Sequence, residues 1–380
     1  MTRFAWNLEI DMIVILILAF IIVKSIRSNN IYSLDIMFRV TLYCDILLAI
    51  MDAVWAAITN GIISVPLWVA YGVNIIYLWD LALIGYFWFI YSESLMNMKW
   101  TKITKMYFIF AIPELVLLIL LVTSYWSGII FSVTPDFIYN RGPLLPLASA
   151  IDIVYPTITC FRSLSRSFKK KYYVNSEEYR NMAGFIIFPA IGTGLVIMDA
   201  NAPYLASSIM LALVFTFFSI ENTIIQTDPL TNLPNRRKLY PYVDTIIEKH
   251  NDFSLKDFYF ILVDITNLKT INEQYGNKEG DHALILLADV IKRVCRDYSA
   301  YGARYSDNRF CVALETEEPD EINHVMAEIE KMLSDVESTK FKIDFKYAYA
   351  RYDTVTMDCV KAIVEVAEER IKDRERDLNP

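Results

Sequence analysis

The sequence predicts two parts of different fold class. Residues 1–223 are expected to form a multi-pass α-helical membrane domain of about seven helices, and residues 224–380 an α/β sandwich outside the bilayer. Hydrophobic residues make up 55% of the chain, and nearly all long apolar runs lie in the first part. In the second part, short apolar strands alternate with amphipathic helices, which is typical of helices packed on a mixed sheet. The net charge of −8 lies in the second part, because acidic and basic residues balance in the first.

The membrane prediction depends on the length of the apolar runs. A helix needs about 20 apolar residues to cross a bilayer. The candidate spans are residues 8–26, 36–58, 65–91, 104–126, 144–163, 183–199 and 202–222. The sixth span is the shortest and contains two glycines, Gly192 and Gly194.

Lysine and arginine between these spans predict the orientation of the chain. Eleven basic residues follow the first, third and fifth spans, whereas only Arg3 and Arg141 lie on the alternate side. Basic loops stay on the cytoplasmic side of a membrane. We therefore expect the N-terminus outside and residues 224–380 in the cytoplasm.

Several polar side chains fall inside the predicted spans: Asp45, Asp52, Asn74, Asp80, Glu114 and Asp152. A carboxylate is costly in hydrocarbon, so these groups are expected to face the interior of the bundle. Two interpretations stay open: a ligand pocket or ion path, and a structural role in hydrogen bonds between helices. The carboxylates form no ordered chain across the bundle, which disfavours a proton or ion transporter.

Composition also disfavours several classes of site. The five cysteines have no CxxC spacing and the three histidines form no paired ligand motif, so neither a disulfide framework nor a histidine metal site is expected. The acidic excess in residues 224–380 would repel phosphate backbones, which argues against binding to nucleic acid.

The second part reads as α-β-α-ββ-α-β-α. Its predicted elements are a helix at 236–249, a strand at 258–265, a short helix, a glycine-containing loop at 276–280, a helix at 281–296, a hairpin at 303–314 with its tip at 306–309, a helix from Pro319 to 334, a strand at 342–351 and a helix at 356–376.

Three motifs carry a resemblance to a known family. The first is Asp228-x-Leu230-Thr231-x-Leu233-x-Asn235-Arg236-Arg237; the second begins with Asp264-Ile265 and continues through Lys269, Ile271, Asn272, Tyr275, Gly276, Gly280 and Asp281; the third is Arg304-Tyr305, just before the hairpin tip. Together they resemble the GGDEF family, the diguanylate cyclases that join two GTP molecules into cyclic di-GMP. The resemblance covers residues 228–376 and implies the palm-like sandwich of nucleotide cyclases and polymerases. The first part is similar to the seven-helix sensory regions that precede this domain in bacterial membrane proteins.

The resemblance also implies a site. Phosphodiester formation from GTP uses Mg²⁺, which prefers carboxylate and carbonyl oxygens. The ligands would be the carboxylate of Asp264 and the carbonyl of Ile265. Asn272 and Asp281 match the pair that reads guanine in the family, and the alternative is that Asn272 caps a helix and Asp281 begins one.

The signature hairpin departs from the family. Ser306, Asp307, Asn308 and Arg309 stand where the family has two glycines and two acidic residues. Arg309 places a cation where a metal-binding glutamate would be, and a sign reversal at about 4 Å is worth about 4 kcal/mol at an effective dielectric constant of ~20. We expect Arg309 to form an ion pair with Asp264 in place of the metal.

Three further features of the family are altered. Thr266 replaces a second acidic residue, Asp297 and Ala300 replace the inhibitory arginine–aspartate pair, and the phosphate-binding lysine is absent or shifted to Arg374 or Arg376.

The leading hypothesis is a membrane receptor whose GGDEF-like domain is catalytically inactive. It would signal through conformation, guanine-nucleotide binding or protein contacts, as a homodimer or as a heterodimer with another GGDEF protein, and would use Mg²⁺ only if nucleotide binds. The alternatives are an active or weakly active diguanylate cyclase and a membrane transporter with a regulatory domain.

Overall fold

The structure is a computed structural model that describes residues 3–27, 36–169, 172, 175–198, 203–251, 256–335, 340–357 and 359–378. The chain divides into two compact units. Unit 1 comprises Met1–Phe168 and Asn175–Ile220, and unit 2 comprises Lys169–Val174 and Glu221–Pro380.

Unit 1 is built from helices with one small hairpin. Its elements are α1 (Arg3–Arg27), α2 (Ile36–Thr59), α3 (Leu67–Leu95), a 3₁₀ turn (Lys99–Lys102), α4 (Thr104–Phe110), α5 (Ile112–Ser127), β1 (Phe131–Val133), β2 (Tyr139–Arg141), α6 (Leu145–Ser167), α7 (Ser176–Gly184), α8 (Ile187–Met198) and α9 (Tyr204–Gln226). The end of α9 lies in unit 2.

Helices occupy all seven predicted segments, but two of the segments are broken. The fourth is interrupted at Ala111, just before Pro113, which lacks a backbone N–H. Among the residues that the structure describes, four helical stretches are long and apolar enough to cross a membrane: Ile36–Thr59, Leu67–Leu95, Thr104–Ser127 and Tyr204–Thr223. α1 and α6 each carry several charged residues, and α8 has only 12 residues. Seven membrane crossings therefore stay a prediction.

Aromatic side chains pack the β1–β2 hairpin against the helices of unit 1. The hydroxyl of Tyr71 on α3 accepts a hydrogen bond from the backbone N–H of Val133 at 3.0 Å. The rings of Trp55 on α2 and Tyr139 on β2 meet edge to face, with their centroids 6.5 Å apart. The hairpin therefore lies at the end of the unit where α2 ends and α3 begins.

Unit 2 has the predicted order of elements. They are α10 (Arg236–Asn251), β3 (Asp257–Ile265), α11 (Leu268–Tyr275), α12 (Asn277–Asp297), β4 (Tyr301–Arg304), β5 (Arg309–Thr316), α13 (Glu321–Ser334), β6 (Phe345–Arg351) and α14 (Val360–Leu378).

The sheet of unit 2 has the order β4-β5-β3-β6, and each neighbouring pair is antiparallel. The predicted mixed sheet is therefore wrong. The reason is that β5 turns back from β4 and lies between β4 and β3, so that β4 and β3 run in the same direction but are not neighbours. The central strand β3 is buried on both faces. Phe258, Phe260 and Leu262 contact the core with α10 and α14, while the alternate residues Ile261 and Val263 contact the core with α12 and α13.

Three helix starts differ from the prediction, and one of them is that of α14, which begins at Val360 instead of residue 356. Residues 277–280 are helical, so the expected loop at 276–280 shrinks to Gly276, whose φ of 90° and ψ of 160° favour glycine. The helix expected from Pro319 begins at Glu321, after Asp320 at the N-cap position.

Candidate functional site

Asp264 lies near the end of β3, directly opposite Arg309 on β5. Its side chain is only 4% exposed. The Nε of Arg309 donates a hydrogen bond to Oδ2 of Asp264 at 2.9 Å. The predicted ion pair between these two residues is therefore confirmed.

The side-chain amide of Asn308 bonds two further oxygens beside this ion pair, the second carboxylate oxygen of Asp264 and the carbonyl oxygen of Ile265. Its Nδ2 donates to Oδ1 of Asp264 at 2.5 Å and to the carbonyl of Ile265 at 3.2 Å. The backbone N–H of Ile265 returns a hydrogen bond to the carbonyl of Asn308 at 3.1 Å. Both carboxylate oxygens of Asp264 and the carbonyl of Ile265 are thus bonded to side chains of the hairpin.

These contacts test whether the residues fit a divalent cation. Mg²⁺ needs hard oxygen atoms with free lone pairs, in near-octahedral geometry. Here the oxygens that the family resemblance assigns to the metal face an amide donor and a permanently charged guanidinium. Within the described ranges, no group of three or more His, Cys, Asp or Glu side chains is arranged to hold a metal ion. The site does not fit Mg²⁺.

The hairpin loop between β4 and β5 is held by Arg304. Its Nη2 donates to the carbonyl of Asp307 at 2.7 Å and its Nε to that of Ser306 at 3.3 Å. The side chains of Ser306 and Asp307 are exposed. None of the loop residues has a positive φ. The loop therefore accommodates these two residues where the family has glycines.

Asp228 fixes the other end of the Arg304 side chain. The Nη1 of Arg304 donates to both carboxylate oxygens of Asp228, at 2.9 and 3.1 Å. Thr231 donates to Oδ1 of Asp228 through its backbone N–H and its hydroxyl. Burial opposes ionisation of Asp228, but the hydrogen bonds from Thr231 and Arg304 outweigh it and lower the pKa of the carboxyl below its ordinary value.

Asn235 links the same motif to the end of α9. Its Oδ1 accepts a hydrogen bond from the backbone N–H of Arg237 at 2.9 Å, which caps α10. Its Nδ2 donates to the carbonyl of Ile225, in the last turn of α9, at 2.8 Å. Sequence reasoning identified the Asp228–Arg237 motif by resemblance but missed these roles. The spacing of Asp228 and Asn235 before a helix could have indicated them.

A groove of about 580 Å³ lies beside the hairpin loop. It was not predicted from the sequence. Its lining residues are Ile225, Asp228, Asn235, Arg236, Arg237, Arg304, Tyr305, Ser306 and Asp307. Arg236 lies over the rings of Tyr240 and Tyr305, 4.9 and 5.0 Å from their centroids.

Asn272 and Asp281 lie on the consecutive helices α11 and α12. Gly280 allows the side chain of Asn272 to approach α12, because a Cβ at position 280 would clash with its Oδ1. Neither Asn272 nor Asp281 donates or accepts a side-chain hydrogen bond with any described residue. The capping interpretation is wrong, because the N-cap position of α11 is Asn267 and α12 begins at Asn277.

The other departures from the family are distributed around the fold. The exposed Thr266 donates its hydroxyl to the carbonyl of Asp344 at 3.0 Å. Asp297 accepts a hydrogen bond from Arg296 at 3.1 Å, while Ala300 is buried. The side chains of Arg374 and Arg376 lie outside the described part of the chain.

With this geometry established, comparison with known proteins identifies the domain. Residues 225–376 match the family profile described as "Diguanylate cyclase, GGDEF domain". Residues 225–376 form a GGDEF domain. Two curated relatives are the "Probable diguanylate cyclase DgcJ" of Escherichia coli, 32% identical over 157 residues, and a "Diguanylate cyclase" of Vibrio cholerae, 30% identical over 112 residues. The aligned regions cover 40% and 30% of this chain. They span 31% and 34% of these relatives, so the chain matches about a third of their length.

A solved structure with similarity to the chain is the coiled coil and GGDEF domain of DgcB from Caulobacter crescentus in complex with c-di-GMP. The identity is 18% and the TM-score 0.40, and the alignment covers 50% of this chain and 95% of that one.

Proposed function

We propose that this chain is a bacterial membrane signalling protein whose GGDEF domain makes no cyclic di-GMP and acts as a regulatory module. The observation that carries the proposal is the bonding of Asp264 and Ile265 by Asn308 and Arg309. A cyclase needs these oxygens for its metal. Here the hairpin provides a guanidinium at the position of a metal-binding glutamate, so the charge that would hold Mg²⁺ and triphosphate is reversed.

The membrane arrangement belongs to the same proposal. Unit 1 crosses the cell membrane in seven segments with its N-terminus outside, and the GGDEF domain faces the cytoplasm. The four long apolar helices and the alternation of basic residues support this arrangement. The chain passes between the two units within α9, so a movement of α9 would act directly on the residues bonded to its last turn.

The regulatory signal of the domain is carried by guanine nucleotide or by protein contact. Asn272 and Asp281 support nucleotide binding, because both side chains are free to bond a base. An amide donor and a carboxylate acceptor match the O6 and the N1–N2 edge of guanine. In a homodimer, or in a heterodimer with an intact GGDEF protein, such a domain would report the state of unit 1 without chemistry of its own.

Incubation of the full-length protein with GTP and Mg²⁺ tests the proposal. The protein should be reconstituted in lipid nanodiscs, with an active diguanylate cyclase in the same lipid as positive control. We expect no cyclic di-GMP by chromatography and mass spectrometry. Production by the native chain that is abolished by Asp264→Ala would overturn the proposal.

The runner-up function is a weakly active cyclase, which the 32% identity to a probable diguanylate cyclase favours. The same assay distinguishes it, since a weakly active enzyme would accumulate product over long incubations. A titration with GTP, with and without Mg²⁺, then separates binding from turnover. Binding that is independent of Mg²⁺ would support the regulatory reading.

A further inference from the structure

Unit 1 contains three buried aspartates without a bonded cation. Asp11 on α1, Asp45 on α2 and Asp80 on α3 are each 2% exposed or less. Both carboxylate oxygens of Asp11 and Asp45, and Oδ2 of Asp80, have no hydrogen-bond partner. Glu93 is equally buried but forms an ion pair with Arg162 and accepts a hydrogen bond from Trp100, each at 3.0 Å. The fold therefore provides a basic partner for Glu93, but none for these three aspartates or for the equally buried Glu114.

Asp11 interacts electrostatically with Asp52, and Asp45 with Asp80, whose side chain is also hydrogen-bonded to the thiol of Cys44. Asp45 and Asp52 are seven residues apart on α2, so they share a helix face and are separated by about 10 Å along its axis. The phenol of Tyr77 on α3 also interacts electrostatically with Asp52, Asp11 and Asp45.

Two like-charged pairs inside a helix bundle are unfavourable unless they are protonated or neutralised by a cation. A metal ion would need several oxygens converging on one point. In the part of unit 1 that the structure describes, no group of three or more carboxylate, thiol or imidazole side chains does so. A ligand with two separated positive charges fits the arrangement better.

Aromatic rings lie at the hairpin end of this array. Tyr139 on β2 is within electrostatic reach of Tyr77 and contacts the ring of Trp55. Of the two aspartates on α2, Asp52 lies closer to the hairpin than Asp45. Asp52 is half-buried, whereas Asp45 is fully buried. Aromatic faces attract ammonium groups. A cation that enters from the hairpin end would therefore meet aromatic rings and the carboxylate of Asp52.

We propose that the α1–α2–α3 interface binds a linear organic cation with two ammonium groups, one beside Asp11 and Asp52 and the other beside Asp45 and Asp80. This goes beyond the proposed function, which leaves the stimulus open. The site depends on unit 1 alone and holds whether or not the GGDEF domain is active.

The test uses full-length protein in nanodiscs and a series of linear α,ω-diamines of increasing length. Isothermal titration should show saturable binding that tightens until the diamine is long enough to span about 10 Å. The monoamine of the same length should bind at least about tenfold more weakly, because one charge-assisted contact is lost. This length series needs no variant and is informative even if a variant fails to fold.

Two amide substitutions of similar size then locate the site. Asp45→Asn and Asp52→Asn should each weaken the best diamine at least about tenfold. Asp136→Asn, an exposed carboxylate on the turn between β1 and β2, is the matched control and should bind like the native chain. The absence of saturable binding by any diamine would overturn the proposal. Equal affinity in all three variants, or equal binding of monoamine and diamine, would overturn it as well.

Discussion

At the scale of residues, the bonding of Asp264 shows how one buried charge can be balanced in two ways. A carboxylate at the end of a buried strand requires compensation, because desolvation strongly disfavours an isolated charge. A metal would provide it in a cyclase, whereas here the guanidinium lies directly across the strand pair at 2.9 Å. Asp264 and Arg309 lie opposite each other on paired strands, so the guanidinium can balance this charge without a change in strand pairing.

Removing Arg309 should therefore cost more than removing an exposed ion pair. We expect Arg309→Ala to lower the free energy of unfolding of the GGDEF domain by about 2–3 kcal/mol, since Asp264 stays buried with only the Asn308 amide as a side-chain partner. Hydrogen exchange of the β3 amides in the full-length protein measures this. Arg351→Ala is the matched control, because Arg351 pairs with Asp257 on the same strand but is 62% exposed. Its expected cost is below about 1 kcal/mol, and equal costs for both variants would contradict the argument.

The second prediction concerns pH and Asp228. Its pKa is lowered in the folded state, since hydrogen bonds from Thr231 and Arg304 outweigh the effect of burial. A lowered carboxyl pKa contributes stability above the pKa of the unfolded chain, about 3.9, and this contribution is lost as the pH falls through the folded-state value. Asp228→Asn should therefore lower the melting temperature of the GGDEF domain at pH 7, and the difference should shrink as the pH falls below about 4. A difference that is constant with pH would mean that the ionised form is not responsible.

At the scale of elements, the junction of α11 and α12 positions the proposed base-binding side chains. Gly276 separates the helices, and Gly280 lets Asn272 lie against α12. Helix propensity and function make opposite demands at position 280. Alanine is the better helix residue by about 1 kcal/mol, but its methyl group would occupy the place of the Asn272 amide.

Gly280→Ala should consequently separate stability from binding. Thermal stability should change by less than about 1 kcal/mol, because the displaced amide is the end of a flexible side chain and the helix gains propensity. The affinity for GTP should fall at least about tenfold if Asn272 reads the base. Lys278→Ala, on the same turn but exposed, serves as control. Unchanged GTP affinity in Gly280→Ala would argue against a role for Asn272.

Much of this architecture follows from local patterns in the sequence. The helices and strands of unit 2 were predicted to within a few residues, because amphipathic periodicity and glycine or proline punctuation are local. The ion pair of Asp264 and Arg309 was also predictable, since the family resemblance aligned two opposite charges. The antiparallel order of the sheet was not, because the sequence does not state which strand pairs with which. The bonds of Asn308 to Asp264 and Ile265 escaped prediction, since they depend on the conformation of the hairpin loop.

At the scale of the whole molecule, the orientation of unit 1 can be checked with cysteine chemistry. Asp136→Cys should react with a membrane-impermeant maleimide in intact cells, because residue 136 lies on the side predicted to be outside. The exposed native Cys359 of unit 2 should react only after permeabilisation, and it serves as the internal control. Labelling of both in intact cells would contradict the proposed topology. Labelling of neither before permeabilisation would contradict it as well.

The two units also carry complementary information about signalling. Unit 1 contains buried carboxylates whose oxygens accept no hydrogen bond. In the GGDEF domain, by contrast, the buried carboxylate of Asp264 is bonded to Arg309. The first arrangement is suited to respond to a diffusible cation and the second is insensitive to one. On the proposed function, chemical input therefore belongs to unit 1 and output depends on conformation.

The cross-strand pair of Asp264 and Arg309 also constrains how such a sequence can evolve. If Arg309 were replaced by glutamate, two carboxylates would face each other. Asn308 would still donate its hydrogen bond to the Ile265 carbonyl, which a metal would need as a ligand. If Asp264 changed first, a guanidinium would be left without its counterion. Each single step passes through a less stable protein, so on the proposed function the pair of Asp264 and Arg309 is expected to persist.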